Sequence, residues 1–284
     1  MSNAVQLLAE IRQSSERRPF EVLKLAEPLL GSGGGLGTGA DAWLAYEQVF
    51  VAAIDDGEME LARAVLGRLH KRFGAGSQRV KRLAGMFNEA AGHAAEAKRM
   101  YGEMLAADET NVLASKRLIA MLKAQGQLGE ATAQLVAYLD THGNDFEAWL
   151  ELSALYLRQQ LYPQAAFCVE EAILQQPANH YFHLCYAEIN YTMGALDVAL
   201  KEFLRVVELS TDNVRGFYGV RLTADRILEA KRRPKKEQPA WADAAPQPAT
   251  LERLSELATE RLLSVYGAAG AAPKRAAEAW LQQS

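Results

Sequence analysis

The sequence lacks several features that define common classes of protein. It has only two cysteines, Cys168 and Cys185, whereas a secreted disulfide scaffold needs more; we interpret both as buried free thiols. No run of 18 or more apolar residues is present, so the sequence predicts no membrane-spanning helix. Its first residues show no basic segment leading into an apolar one, so we expect no signal peptide. The 31 basic and 35 acidic side chains give a net charge of −4, which is too balanced for a general nucleic-acid binder. These absences predict a cytoplasmic or nuclear protein, unless a partner tethers it to a membrane.

Motifs for catalysis and metal binding are also missing. The sequence contains no Gly-x-Ser-x-Gly, His-Glu-x-x-His or dinucleotide-binding fingerprint. The glycine-rich stretch 31–39 is followed by Ala40 and Asp41 rather than by the Gly-Lys-Ser/Thr of a phosphate-binding loop. His180, His183 and Cys185 form the only tight group of metal-ligand types, and a closed site needs further ligands that the nearby sequence does not offer. We therefore predict that the protein is not an enzyme and has neither a cofactor nor a metal site.

A period of about 34 residues runs through the middle of the chain. Three positions keep a fixed phase in five successive units: an alanine, a mostly glycine position five residues before it, and a bulky apolar residue four residues after it. This period and phase are the signature of tetratricopeptide repeats, in which each unit is a pair of antiparallel helices. The alanines are Ala62, Ala97, Ala131, Ala165 and Ala199; the positions before them are Gly57, Gly92, Gly126, Gln160 and Gly194; the positions after them are Leu66, Tyr101, Leu135, Val169 and Phe203.

The unit that begins at Phe146 has the fullest pattern. Trp149 and Tyr156 lie at helical spacing on its first helix, and Pro177 ends its second helix. The glycine position between the helices suits a left-handed cap, and the small alanine lets the two helices approach closely. The sequence therefore predicts an all-α fold, a right-handed superhelical solenoid of antiparallel helix pairs. The predicted units are 43–77, 78–111, 112–145, 146–179 and 180–213.

The predicted organisation has five parts. The repeat array includes the first helix of a sixth unit, over 214–229, where the pattern stops. The basic run KRRPKK after it is interpreted as a solvated linker, although such runs also occur in nuclear signals and in contacts with acidic lipids. The parts are N-terminal capping helices in 1–30, a glycine-rich linker at 31–40, the repeat array at 41–230, a proline-rich and basic irregular segment at 231–248, and C-terminal helices in 249–284.

The first helices of such a stack should line its concave side, which is the face that solenoids generally use for binding. The second, fifth, sixth, ninth and twelfth positions of each unit are predicted to face inward. They are basic in the N-terminal units and apolar, aromatic and acidic further on, which suits a peptide or helix that carries acidic and apolar groups. Leu184 is among the predicted inward residues. The predicted partner-binding groove consists of Arg79, Arg82, Lys116, Arg117, Lys123, Leu150, Tyr181 and Tyr191.

Several segments carry a more specific resemblance. RVKRLAGM at 79–86 and YPQAAFCVEE at 162–171 are not required by repeat geometry. Together with the rest of 41–220 they resemble the subunit 2 family of the endoplasmic reticulum (ER) membrane protein complex. The resemblance implies a non-catalytic cytosolic scaffold, peripheral on the cytosolic face of the ER membrane, in an insertase that places transmembrane segments and tail anchors. The implied partners are cytosolic segments of membrane-spanning subunits and a globular cytosolic subunit, with no nucleic acid.

A cochaperone-like adaptor is the alternative hypothesis. In such an adaptor, a basic groove clamps an acidic C-terminal peptide, and Arg82, Lys116 and Arg117 suit that role. The paired inward asparagines that normally complete the clamp are missing from this sequence.

Overall fold

A computed structural model describes residues 3–14, 16–31, 35–37 and 39–283. Within these ranges the regular elements are all helical, which confirms the predicted fold class. The chain forms two compact units, 1–134 and 135–284, each described by itself below. The helices are α1 Asn3–Gln13, α2 Pro19–Gly31, α3 Ala40–Asp56, α4 Met59–Phe73, α5 Gln78–Ala90, α6 Ala94–Ala107, α7 Val112–Ala124, α8 Leu128–Thr141, α9 Phe146–Arg158, α10 Tyr162–Gln175, α11 His180–Met193, α12 Leu196–Leu209, α13 Val214–Arg232, α14 Pro248–Ala269 and α15 Ala271–Gln283.

The repeated alanine marks the second helix of each of the five predicted units. All five alanines are fully buried, as the close approach of paired helices requires. In the best-formed pair, the Ser153 hydroxyl on α9 donates a hydrogen bond of 2.9 Å to the carbonyl of Ala165 on α10. This contact confirms the position predicted for Ala165.

The repeated glycine position ends the first helix in a left-handed conformation. Its φ is positive in all five units, as predicted: 81° at Gly57, 80° at Gly92, 73° at Gly126, 61° at Gln160 and 83° at Gly194. Gln160 is the only non-glycine residue with positive φ in the part of the chain that the structure describes. It forms the same left-handed helix cap as the glycines. The following amide, that of Leu161, donates a hydrogen bond of 2.9 Å to the Tyr156 carbonyl, which closes this cap.

A second repeated position, which the sequence analysis did not identify, starts the first helices. It is occupied by asparagine or aspartate every 34 residues. Each side-chain oxygen accepts a hydrogen bond of 2.9 to 3.1 Å from a backbone amide in the first turn of its helix, which is the bond expected of an N-cap. The four caps are Asn111 on α7, Asp145 on α9, Asn179 on α11 and Asn213 on α13.

Glycines on two first helices make room for buried aromatic rings. A Cβ added at Gly85 would lie 2.6 Å from the ring of Tyr101, which belongs to the same helix pair. A Cβ added at Gly219 would lie 2.2 Å from the ring of Phe203 on the preceding helix. Tyr101 and Phe203 occupy the repeated bulky position and are 0% and 3% exposed. The rings therefore pack directly on helix backbone at these two places.

The N-terminal pair α1–α2 packs on α3 in the first unit. Arg12 donates to Gln48 at 3.3 Å, and Arg17 forms an ion pair with Asp55 at the end of α3. Residues 32–34 and 38 of the predicted glycine-rich linker lie outside the described residues. The prediction of a flexible linker is wrong for Leu36, which is 4% exposed and whose amide donates to the Tyr46 hydroxyl at 3.0 Å.

The C-terminal part of the second unit is built around α13. The predicted exposure of 231–248 is correct for 232–237, 240, 243, 244, 247 and 248. It is wrong for Ala242 and Ala245, which are buried, and for Trp241, which is half-buried against the core. Arg221 on α13 is 8% exposed. It donates to the Thr259 hydroxyl at 2.9 Å and to the Leu281 carbonyl at 2.7 Å, and so links α13 to both C-terminal helices.

Candidate partner-binding surfaces

Two of the predicted groove arginines meet at one carboxylate in the first unit. The Arg79 guanidinium forms an ion pair with Glu47 on α3, and Arg82 lies 4.0 Å from the same carboxylate. Glu47 is largely buried, with 15% of its side chain exposed, while the exposed fractions of Arg79 and Arg82 are 41% and 24%. The two positive charges therefore face solvent with one negative charge between them.

A third arginine is fixed more firmly. Arg117 on α7 makes a two-pronged ion pair with Glu89 on α5, with nitrogen–oxygen distances of 3.0 and 2.5 Å. The Tyr101 hydroxyl donates to the same carboxylate. Burial and the Glu89 carboxylate raise the pKa of Tyr101, so its proton stays on the hydroxyl. Burial lowers the pKa of Arg117, but its hydrogen bonds with Glu89 outweigh this effect and raise it. This network joins α5, α6 and α7.

The predicted groove includes these arginines but neither of the two glutamates that pair with them. The predicted inward positions could have identified both, since Glu47 is the fifth residue of the repeat unit 43–77 and Glu89 is the twelfth residue of the repeat unit 78–111. The predicted basic character is therefore partly neutralised within the first unit. Lys116 and Lys123, the other predicted cations, are half-buried on α7.

The predicted residues of the second unit differ in exposure. Tyr181 is 50% exposed near the start of α11. Leu150 is half-buried against the core of α9–α11. Tyr191 is also half-buried, and the Arg226 guanidinium covers its ring at 4.7 Å from the ring centre. The inward position predicted for Leu184 is wrong, because this residue is 3% exposed and packs with the α11–α12 core.

His183 and His180, from the group of metal-ligand types found in the sequence, form polar contacts within the protein. The two ring nitrogens of His183 lie 2.6 Å from a Glu202 oxygen and 3.0 Å from the Pro177 carbonyl. The Asn213 amide lies 3.3 Å from a ring nitrogen of His180. Across the described ranges, no three histidine, cysteine or acidic side chains are grouped so that they could hold a metal ion. In the same ranges, none of the helices combines the length and apolar character needed to cross a bilayer.

Comparison with known proteins identifies relatives over most of the chain. Residues 45–202 match the family described as the EMC2 TPR-like repeat domain. ER membrane protein complex subunit 2 of Xenopus tropicalis is 37% identical over 81% of this chain and 79% of its own length. The TPR repeat protein oca3 of Schizosaccharomyces pombe is 34% identical over 68% of this chain and 70% of its own.

A solved structure supports the fold alone. The C-terminal part of a TPR repeat-containing protein from Cytophaga hutchinsonii superposes with a TM-score of 0.59. The alignment covers 92% of this chain and 95% of that one, with 11% sequence identity. The alignment therefore extends beyond the residues that the family match covers.

Proposed function

Because the chain belongs to the EMC2 family of tetratricopeptide-repeat proteins, we propose that it is a non-catalytic cytosolic scaffold subunit of the ER membrane protein complex. In this role it is peripheral on the cytosolic face of the ER membrane. It organises the cytosolic parts of an insertase that places transmembrane segments and tail-anchored proteins. The observation that carries the proposal is 37% identity with the Xenopus tropicalis subunit, extending over 81% of this chain.

The proposed partners are cytosolic segments of membrane-spanning subunits together with a globular cytosolic subunit. The partner-binding set remains the eight predicted residues, and the contacts of the first unit rank its arginines. Arg117 makes two hydrogen bonds to the Glu89 carboxylate, which also binds Tyr101, so separating Arg117 from Glu89 costs more free energy than separating Arg79 or Arg82 from Glu47. Arg79 and Arg82 share a single carboxylate, that of Glu47. We expect an acidic partner tail to bind at Arg79 and Arg82 by taking over part of the role of Glu47.

The test is affinity isolation of the tagged chain from cells of its source organism, followed by mass spectrometry. The proposal predicts recovery of membrane-spanning subunits of the complex. Recovery of a chaperone through an acidic C-terminal peptide, without those subunits, would instead support the cochaperone-like alternative.

Charge-swap variants test the groove itself. The triple variant Arg79→Glu, Arg82→Glu, Glu47→Lys keeps opposite charges in contact but reverses the net sign of the group. Because the internal pairing survives, we expect its helix content to match the parent. Recovery of the membrane-spanning subunits should fall, and the remaining association should be more sensitive to salt.

Glu47→Gln is the opposing control, because it removes the competing carboxylate and should maintain or increase recovery. If the folded triple variant is recovered with the same subunits at parental yield and salt resistance, these arginines are not the docking site. Membership of the complex, judged by the unmodified chain, would be unaffected by that result.

A further inference from the structure

A large apolar cleft lies in the second unit, and none of the eight predicted binding residues is among its described lining residues, although Leu150 directly follows Trp149 of the cleft in the sequence. It encloses about 600 Å³. Its lining residues belong to the C-terminal part of α8, to α9 and to α10. The lining consists of Val136, Leu139, Asp140, Trp149, Leu152, Tyr156, Pro163, Gln164, Phe167 and Cys168.

Large apolar side chains are exposed at and beside this cleft. Phe167 is 53% exposed, although its ring makes an edge-on contact with Trp149 at 5.9 Å between ring centres. Leu174, seven residues further along α10, is 75% exposed. Seven residues are about two helical turns, or roughly 10 Å, so the two side chains lie along one side of α10. Val136, a lining residue on α8, is 37% exposed. Large exposed apolar side chains grouped around one cleft are typical of an interaction site.

The charges at the cleft have one sign. Asp140 lines it and is exposed, and no lysine or arginine is among its described lining residues. Glu171 follows Phe167 by four residues on α10, one turn further along the same side. Its charge also acts on Cys168, a lining residue of the cleft, where burial and Glu171 together raise the pKa of the thiol. An occupant of matching chemistry is therefore apolar with positive flanks.

We propose that this cleft binds an amphipathic helix of a partner protein that carries lysine or arginine beside its apolar face. The two-turn separation of Phe167 and Leu174 matches apolar residues at i, i+3 or i+4, and i+7 of such a helix. Asp140 and Glu171 pair with the basic flanks and set its orientation. The same acidic groups disfavour an anionic membrane surface as the occupant, because such surfaces attract basic segments. This inference uses residues of the second unit alone and does not depend on the groove arginines.

Two synthetic helical peptides of about five turns serve as probes. Both carry leucines at i, i+3, i+4 and i+7, and they differ only in having lysine or glutamate at the flanking positions. Binding to the full chain is measured by fluorescence anisotropy in physiological salt. The lysine peptide should bind, and the glutamate peptide should bind at least about tenfold more weakly. The double variant Asp140→Lys, Glu171→Lys should reverse this preference.

Phe167→Asp should weaken the lysine peptide by about tenfold or more, as the loss of an aromatic anchor does. Leu113→Asp is the matched control, because Leu113 is also 53% exposed but lies on α7 in the first unit. It should leave binding unchanged, and circular dichroism should show parental helix content in both variants.

Several outcomes would overturn the proposal. They are no binding of the lysine peptide, equal binding of both peptides, unchanged binding by Phe167→Asp, or no reversal by the charge-swapped variant. Sedimentation of the chain with anionic vesicles that is lost in Phe167→Asp would assign the cleft to a membrane surface. Self-association that Phe167→Asp abolishes would assign it to a second copy of the chain.

Discussion

Substituting Gly85 by alanine tests a close approach of an aromatic ring to the helix backbone in the first unit. Gly85 lies in the interior of α5, and its new Cβ would stand 2.6 and 2.7 Å from two ring carbons of Tyr101. The ring cannot move aside freely, because Tyr101 is fully buried and its hydroxyl donates to Glu89. Glu89 in turn holds Arg117, so a shifted ring disturbs the contact between α5 and α7 as well.

Three effects set the expected change in the free energy of unfolding. Overpacking a core costs about 1–3 kcal/mol, and a pinned, buried ring places this site near 3 kcal/mol. Weakening the hydrogen bond to Glu89 adds about 1 kcal/mol. The higher helix propensity of alanine returns about 1 kcal/mol. We therefore expect Gly85→Ala to lower the free energy of unfolding by about 3 kcal/mol.

The assay is urea unfolding followed by circular dichroism, with hydrogen exchange on peptides from α5 and α6 to locate the effect. Gly102→Ala is the matched control, because Gly102 lies within α6, one residue after Tyr101, and an added Cβ there meets nothing within 4 Å. This control should stabilise the protein by about 0.5–1 kcal/mol. If both substitutions raise stability by the same amount, Tyr101 does not pack on the α5 backbone and the reasoning fails.

Four further substitutions or treatments have clear expected outcomes. Gln160→Gly should raise the free energy of unfolding, measured by urea titration, by about 1 kcal/mol. Glycine removes the strain of a side chain at a left-handed backbone position, and the greater entropy of the unfolded glycine chain offsets part of this gain. Ala165→Arg should lower the melting temperature strongly, since it overpacks a helix contact and buries an unpaired charge; an unchanged melt would contradict the repeat register. Cys168 should resist iodoacetamide at neutral pH, because burial and Glu171 raise the pKa of its thiol to about 12 from 9.0. Below pH 9 that thiol is neutral in both states; as the pH rises from about 9 towards 12 the unfolded state loses the proton first, so its contribution to stability is lost. Limited trypsin digestion should cut first within 231–236, where the basic residues from 232 onward are exposed. Early cuts inside 112–213 would contradict the predicted boundaries of the repeat array.

The sequence predicts the helix pairs well because their determinants are local and periodic. A left-handed cap at Gly57 and a close helix contact at Ala165 each follow from residue size and spacing alone. The N-caps were equally local, and the 34-residue recurrence from Asn111 to Asn213 could have revealed them. Leu36 shows where this approach fails, since glycine-rich composition gives no sign that one leucine will pack beside Tyr46.

The predicted binding surface depends on ion pairs between side chains of neighbouring repeat units, and such ion pairs are harder to predict from sequence. The pattern correctly assigned Arg79 and Arg82 to one helix but did not identify Glu47, 35 residues before Arg82, as their shared partner. The exposure of Phe167 was also missed. It lies two residues after the buried Ala165 on the same helix, and only the packing of neighbouring helices determines which apolar side chains remain uncovered.

Arg221 distinguishes the first helix of the sixth repeat unit from the first helices of other units. Stacked identical units have no natural last member, because the end of each pair resembles the surface that accepted it. The eighth position of a unit holds the small residues Gly85, Ser153 and Ala187 in three pairs, but Arg221 in the sixth. Its guanidinium donates to the Thr259 hydroxyl on α14 and to the Leu281 carbonyl on α15, so a charged side chain, rather than close packing on a small residue, joins these helices to α13. The last first helix of the array is thus covered by helices that do not continue the repeat pattern, and Arg221 is the side chain that joins it to both of them.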